Sequence, residues 1–221
     1  MNKIAICQPY FAPYIGYFQL INAVDLFVSY DDVNFKKGGW INRNKIQING
    51  QEKFISIPLI KQSSFKKINQ IEVNWNDRNI GKIIKTIEES YSKATYRDEV
   101  LNIVSRIFNS GADTIAELSL ASLQEFCLYL DIETQFKVSS IERYEKTDDR
   151  VKNLVNICCA EGAHHYVNPI GGTKLYNKEE FRSHGIRLNF LEGSPSLSII
   201  DVCMSIPKEE IKDKLTECRL I

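Results

Sequence analysis

Residues 3–7 form a short apolar run containing β-branched side chains, and it stops at Gln8-Pro9. Proline has no N–H to give to a ladder, so the pattern predicts a strand that ends there. After an aromatic, proline-containing turn, Tyr17, Leu20, Ile21 and Val24 recur at helical spacing around residues 16–23, and residues 25–30 read as a second strand. The connection suits a right-handed crossover between parallel strands, which places both strand ends on one rim of a sheet. Residues 41–48 and 53–59 flank Asn49-Gly50, the pair that best tolerates the positive φ angles of a tight hairpin.

From Ile80 the period changes to 3.6. Ile80, Ile83, Ile84, Ile87 and Tyr91 make one stripe, and Val100, Ile103, Val104, Ile107 and Phe108 a second. Asp113 is the expected N-cap of a third, more deeply buried helix over residues 114–130. The strand–helix rhythm then returns. Residues 134–139 read as a strand, and Asp148 and Asp149 cap a helix with Val151, Leu154, Val155 and Cys158 inward. Residues 163–167 form a strand, 177–184 a short helix, 186–191 a strand, and Pro207 opens a last helix with Glu209 and Glu210 in its first turn. The expected architecture is a three-layer α/β domain spanning residues 1–221: a mostly parallel sheet, an antiparallel hairpin, and a helical insertion at 79–131.

Composition narrows the function classes. At 221 residues, 43% hydrophobic and 25% charged, the chain is of globular type and long enough for a sizeable core. Lys and Arg total 28, matching 28 Asp and Glu, so no overall basic surface exists to bind DNA by counterion release, although a local basic patch stays open. Six cysteines occur without a CxxC or a Cys/His spacing that encloses zinc, so no metal site is expected. No run approaches the roughly 18 apolar residues of a membrane span, and a cytoplasmic protein with reduced thiols is the expectation.

Polar chemistry gathers in four clusters at predicted strand ends. Residues 7–18 hold five aromatics and two prolines. A rigid hydrophobic plug accounts for Phe11, Pro13 and Phe18 but not for Gln8, whose carboxamide would cost about 1–3 kcal/mol if buried unpaired. Gln8, Pro9, Tyr10, Tyr14 and Tyr17 therefore read as a pocket wall, and Gly16 would let a backbone or a phosphate approach the helix N-terminus. Residues 31–45 combine carboxylates, cations, amides and an indole: Asp32 as a general base, Lys36 and Arg43 for an anion, Trp40 for stacking, and Asn42 and Asn44 on one face of an extended segment for hydroxyls. Arg43 equally suits a tie from the loop to Asp31 or Asp32, and a solvated turn before an edge strand is the alternative for the whole run. Residues 164–176 bring adjacent histidines, His164 and His165, to a strand whose alternation lets at most one of them face a pocket. Finally, Ser196 or Ser198 caps the next helix, with Asp201 one turn in; an ordinary helix start and a phosphate or ribose contact are equally open. Cys7 sits in an apolar strand that raises a thiol's pKa, and reads as packing.

At these clusters the sequence resembles the WbqC-like protein family over nearly its whole length. The resemblance is carried by Gln8-Pro9 with Pro13 and Gly16-Tyr17-Phe18, by Asp25 with Phe27-Val28, by Asp32-Val33 with Phe35-Lys36, and by Trp40-Ile41-Asn42-Arg43-Asn44. Residues 171–176 and Leu197-Ser198-Ile199-Ile200-Asp201 complete it. Where the family has His before Gln-Pro, this chain has Cys7. The resemblance implies a role in bacterial surface polysaccharide synthesis, such as O-antigen and lipopolysaccharide. The implied activity is that of a transferase modifying a nucleotide-linked amino sugar, by forming an amide with a glycyl or related acyl group. A dTDP- or UDP-sugar would meet Arg43 and Lys36 through its diphosphate, Asn42, Asn44 and Gln8 through its sugar, and Trp40 or Tyr14 through its base. Asp32 or His165 would take the proton of the attacking ammonium, and the donor would be glycine with ATP and Mg²⁺ or a charged tRNA. Two rivals remain: a non-catalytic sugar-nucleotide binding subunit, and a nucleotidylyltransferase, whose fold opening is similar but whose signature histidines are missing here.

Overall fold

A computed structural model describes residues 2–193 and 197–221. Its main sheet has six strands in the order β5-β2-β1-β6-β7-β8: β1 Lys3–Cys7, β2 Leu26–Ser29, β5 Gln135–Val138, β6 His165–Pro169, β7 Arg187–Glu192 and β8 Arg219–Leu220. All pairings are parallel except β7 with β8. The hairpin β3 Arg43–Ile48 and β4 Gln51–Ser56 stands apart from it, turning at Asn49 and Gly50, both at positive φ. The three-layer α/β expectation is met.

Alternation along the buried strands feeds two cores, one on each face. Ala5, Phe27 and Val167 join one cluster, while their neighbours Ile4, Ile6, Val28 and Tyr166 join the other. The first face is covered by α1 Ile15–Asn22 and by α9 Lys208–Thr216, with α8 Ile199–Ser205 between them and the hairpin; α6 Arg150–Ala160 and α7 Lys178–Arg182 cover the second. The amphipathic stripes become α2 Asn79–Ser90 and α3 Arg97–Phe108, followed by α4 Ile115–Tyr129.

The N-cap of α4 is Thr114 rather than Asp113. Its hydroxyl accepts from the Glu117 N–H while Glu117 Oε2 accepts from Thr114 N at 2.9 Å, a reciprocal box that a lone Asp113 cannot make. Two short elements had no periodicity to announce them: α5 Ser139–Glu142 and β8. Among the described residues no helix is long and apolar enough to cross a membrane.

Candidate functional site at the β1 and β6 strand ends

The strand order reverses between β1 and β6, since β2 and β5 lie on one side of β1 and β6 and β7 on the other. In an open parallel sheet this is where connections leave in opposite directions and open a crevice outside the carboxyl ends. The residues delivered there are Cys7 and Gln8 from β1, Tyr30 to Asp32 from β2, Ser139 from β5, and Asn168 with Gly172 from β6.

Gln8 is half-buried, and no hydrogen bond engages its carboxamide among the described residues, while its backbone carbonyl accepts from Tyr17 Oη at 2.6 Å. Tyr17 is buried against Tyr10 and Phe27, and burial holds its hydroxyl far above the usual value, so it is a fixed post behind Gln8. Tyr10, pushed up to about 12 chiefly by burial, and the half-buried Tyr14 stay neutral phenols. Pro9 is buried. Burial likewise pushes Cys7 up to about 12, so it carries no thiolate at neutral pH.

Asp31 and Asp32 divide the work at the β2 end. Asp31, 3% exposed, accepts from Ser140 N at 3.0 Å and Ser140 Oγ at 2.6 Å and so holds the start of α5. Asp32 Oδ1 accepts from Ser139 Oγ at 2.5 Å and Lys146 Nζ at 3.0 Å, and Oδ2 has no hydrogen bond among the described residues. Lys146 Nζ also lies 4.1 Å from the centre of the Tyr30 ring. Arg150, first residue of α6, acts on Tyr30 and Tyr176 together: burial raises both phenols, and the Arg150 charge pulls both back. A carboxylate, a cation and a phenol, Asp32, Lys146 and Tyr30, therefore meet at the β2 end of the rim, within the field of Arg150.

On β6, Asn168 Nδ2 donates to Tyr166 Oη at 2.5 Å, and a Cβ on Gly172 would lie 2.0 Å from Asn168 Oδ1. Gly172 is thus fixed by the backbone closing over Asn168. His165 opens the same strand and pairs with Lys3 across the ladder, at the opposite end of the sheet from Gln8. Its Nε2 meets Asn189 Oδ1 at 2.9 Å, and burial holds its pKa below 6.5. The structure does not bring it to the rim.

The remaining expected residues tie the chain together. Asn42 Nδ2 donates to Ile57 O at 2.9 Å; Asn44 Nδ2 donates to Ala12 O at 2.7 Å, and Ser198 Oγ to the same oxygen at 2.7 Å. Ser198 also caps α8 through Ile200 N; Ser196 lies outside the described residues. Arg43 donates to the Gly38 and Gly39 carbonyls and stacks 4.5 Å over Phe54, so it ties its own loop rather than Asp31 or Asp32. Trp40 packs against Phe54, and Lys36 is exposed. Asp201 Oδ1 accepts from Tyr91 Oη and from Gln47 N, joining the end of α2 to the hairpin through α8. Over Gly16 there is no room for a phosphate: a Cβ on Gly193 would already lie 3.0 Å from Gly16 Cα.

Sequence reasoning passed over Lys146, Arg150 and Tyr30. Lys146 and Arg150 flank the Asp148-Asp149 pair and read as ordinary helix-start charges; only the return of β5 to the side of β2 carries them to the rim. Among the described residues no group of three or more His, Cys, Asp or Glu side chains comes together as a metal site. A groove of about 360 Å³ between α4 and β5, lined in part by Leu128, Glu133 and Phe136, lies apart from the rim residues.

A doubly wound, mostly parallel sheet with polar residues outside its reversal point defines an α/β protein with a rim-type site. The chain belongs to the WbqC-like protein family, whose model matches residues 8–213. It is also 27% identical, over 99% of its own length and 100% of the relative's, to the uncharacterized protein Rv1507c of Mycobacterium tuberculosis. No solved structure matches it.

Proposed function

We propose that the protein is an enzyme that forms an amide on the amino group of a nucleotide-linked sugar, in the synthesis of a surface polysaccharide such as O-antigen. The observation that carries this reading is the Gln8 carboxamide, without a hydrogen bond among the described residues, at the β1/β6 reversal, on the same sheet rim as the Asp32–Lys146–Tyr30 cluster. An amide donates to and accepts from sugar hydroxyls, and the Lys146 cation complements a diphosphate. The phenols of Tyr30 and Tyr176 offer further donors to the same ligand.

The amino nitrogen attacks the carbonyl carbon of an activated acyl donor, either an aminoacyl ester such as a charged tRNA or an acyl phosphate made with ATP and Mg²⁺. The C–N bond forms, the bond from that carbon to the donor oxygen breaks to release the tRNA 3′-hydroxyl or inorganic phosphate, and the nitrogen loses a proton. In this reading Asp32 takes that proton on Oδ2, since Oδ1 accepts from Ser139 and Lys146. His165, at the far end of β6, has no part in it.

The test is a binding and turnover panel of dTDP- and UDP-linked 4-amino sugars, with glycine plus ATP or glycyl-tRNA as donor and mass spectrometry of the product. A sugar nucleotide at about 100 times its Kd should stabilise the fold by about 2.7 kcal/mol, and an N-acylated sugar should appear. Binding without turnover would assign a non-catalytic carrier subunit, pyrophosphate release a nucleotidylyltransferase, and absence of binding would end the sugar reading.

A further inference from the structure

In a chain with balanced charge, residues 36–67 hold eight of the 28 Lys and Arg but one of the 28 Asp and Glu. The same segment carries every Phe and Trp side chain classed as exposed among the described residues: Trp40 at 46%, Phe54 at 45% and Phe65 at 96%. One exposed apolar side chain needs no explanation; three aromatics confined to the most basic stretch of the protein do. The two loops that carry Phe65 and Trp40 are tied to each other through their backbones. Phe35 N donates to Lys66 O at 2.9 Å and Asn34 bridges to Lys67, so Lys36 and Lys37 emerge beside Phe65, Lys66 and Lys67. Trp40 lies one turn along the same loop and packs on Phe54 at 5.7 Å.

We propose that this hairpin face binds peripherally to an anionic lipid bilayer, with Phe65 and Trp40 entering the headgroup region and the surrounding lysines facing acidic headgroups. Charge complementarity sets the sign of the partner, and the placement of the aromatics selects a bilayer over a single-stranded nucleic acid. A stacking platform presents free ring faces in series along a groove. Here Trp40 and Phe54 pack against each other, Arg43 covers Phe54, and Phe65 stands alone on its loop with almost its whole surface in water. That is the form of a side chain placed to enter an interface, where aromatic residues backed by lysines are favoured. The loop leaves the sheet at the carboxyl end of β2, the same sheet end as Gln8.

The full-length protein is sedimented with vesicles of phosphatidylcholine alone or with about 30 mol% phosphatidylglycerol, and its tryptophan emission is followed. Binding is expected only to the anionic vesicles, weakening as salt rises from about 0.1 to 0.5 M. Emission should shift to the blue through Trp40, because Trp75 is already half-buried and donates to Ala112 O at 2.8 Å. Lys66→Glu with Lys67→Glu should weaken binding more than tenfold, given roughly fivefold per lysine charge, and Phe65→Ser should abolish most of the emission shift; unchanged melting curves establish that the variants fold. The proposal is overturned by equal binding to neutral vesicles, by no binding, by variants that bind as well as the parent, or by a poly-uridine oligonucleotide that binds the same face and displaces the vesicles. Because no sugar nucleotide is present, the outcome is independent of the catalytic reading.

Discussion

Asn44 and Ser198 donate to one oxygen, the Ala12 carbonyl, each at 2.7 Å. Ala12 needs that hold, since it sits in the left-handed region at φ 40°, a conformation unfavourable to a residue with a Cβ by about 1–2 kcal/mol. The two donors pin the turn after β1 to the hairpin on one side and to α8 on the other. Asn44→Ala and Ser198→Ala should each lower unfolding free energy by about 1–3 kcal/mol. The double variant should deviate from additivity by at least about 0.5 kcal/mol, because the second loss strands the carbonyl. Urea titrations of the four proteins measure this, and strict additivity would mean that the donors act separately.

Asp32 and Lys146 should separate by kinetics. With Asp32 Oδ2 as proton acceptor, Asp32→Asn should lower kcat by about 10²–10⁴-fold and leave sugar-nucleotide affinity nearly unchanged. Lys146→Met should instead weaken that affinity, by about ten- to a hundredfold for a lost charged hydrogen bond. If Asp32→Asn weakens binding as much as turnover, its work is to position Lys146.

Gly193→Ala tests the close approach of β7 to the start of α1. The added Cβ would meet Gln19 Oε1 at 2.9 Å and Gly16 Cα at 3.0 Å. Gln19 is buried and its amide is held by the Lys214 and Glu217 carbonyls, and the Gly16 backbone lies in a buried helix, so the helix must shift. A loss of about 1–3 kcal/mol is expected, and a melting temperature within a degree of the parent would show that the two backbones are further apart in solution.

Cysteine reactivity checks the thiol at the strand end. Burial pushes Cys7 up to about 12, whereas Cys159 is exposed at the end of α6. Iodoacetamide at pH 8 should label Cys159 first and leave Cys7 intact, as peptide mapping would report. Early labelling of Cys7 would reveal an ionised thiol at the crevice and reopen nucleophilic chemistry there.

The fold was legible because its strands and helices have strong periods: Ile4, Ala5 and Ile6 feed alternate faces, and Ile83 and Ile87 seal α2. The rim was legible where a strand end coincides with a polar residue, as at Gln8 and Asp32. It was not legible where placement depends on strand order. Lys146 reaches Tyr30 only because β5 adds beside β2, a pairing distant in sequence. For Asn44, Ser198 and Asp201 the sequence leaves the role open for a related reason: a polar side chain that satisfies a backbone carbonyl or amide has the same sequence appearance as one that waits for a ligand.

His165 gives the fold a pH dependence of defined sign. Burial holds its imidazole below 6.5, reinforced by Arg187 and Lys3 and only partly offset by the Asn189 hydrogen bond. The unfolded chain therefore binds this proton at pH values where the native protein does not, and stability must fall as pH drops from about 6.5 toward the native value. Above 6.5 both states are neutral there and the effect vanishes. His165→Gln retains a donor for Asn189 Oδ1 at a position that does not titrate, so it should flatten that part of the profile. Urea midpoints of parent and variant between pH 5 and 8 provide the comparison. Parallel profiles would place the His165 proton equilibrium at the same pH in folded and unfolded chains, against the burial of the ring between β1 and β7.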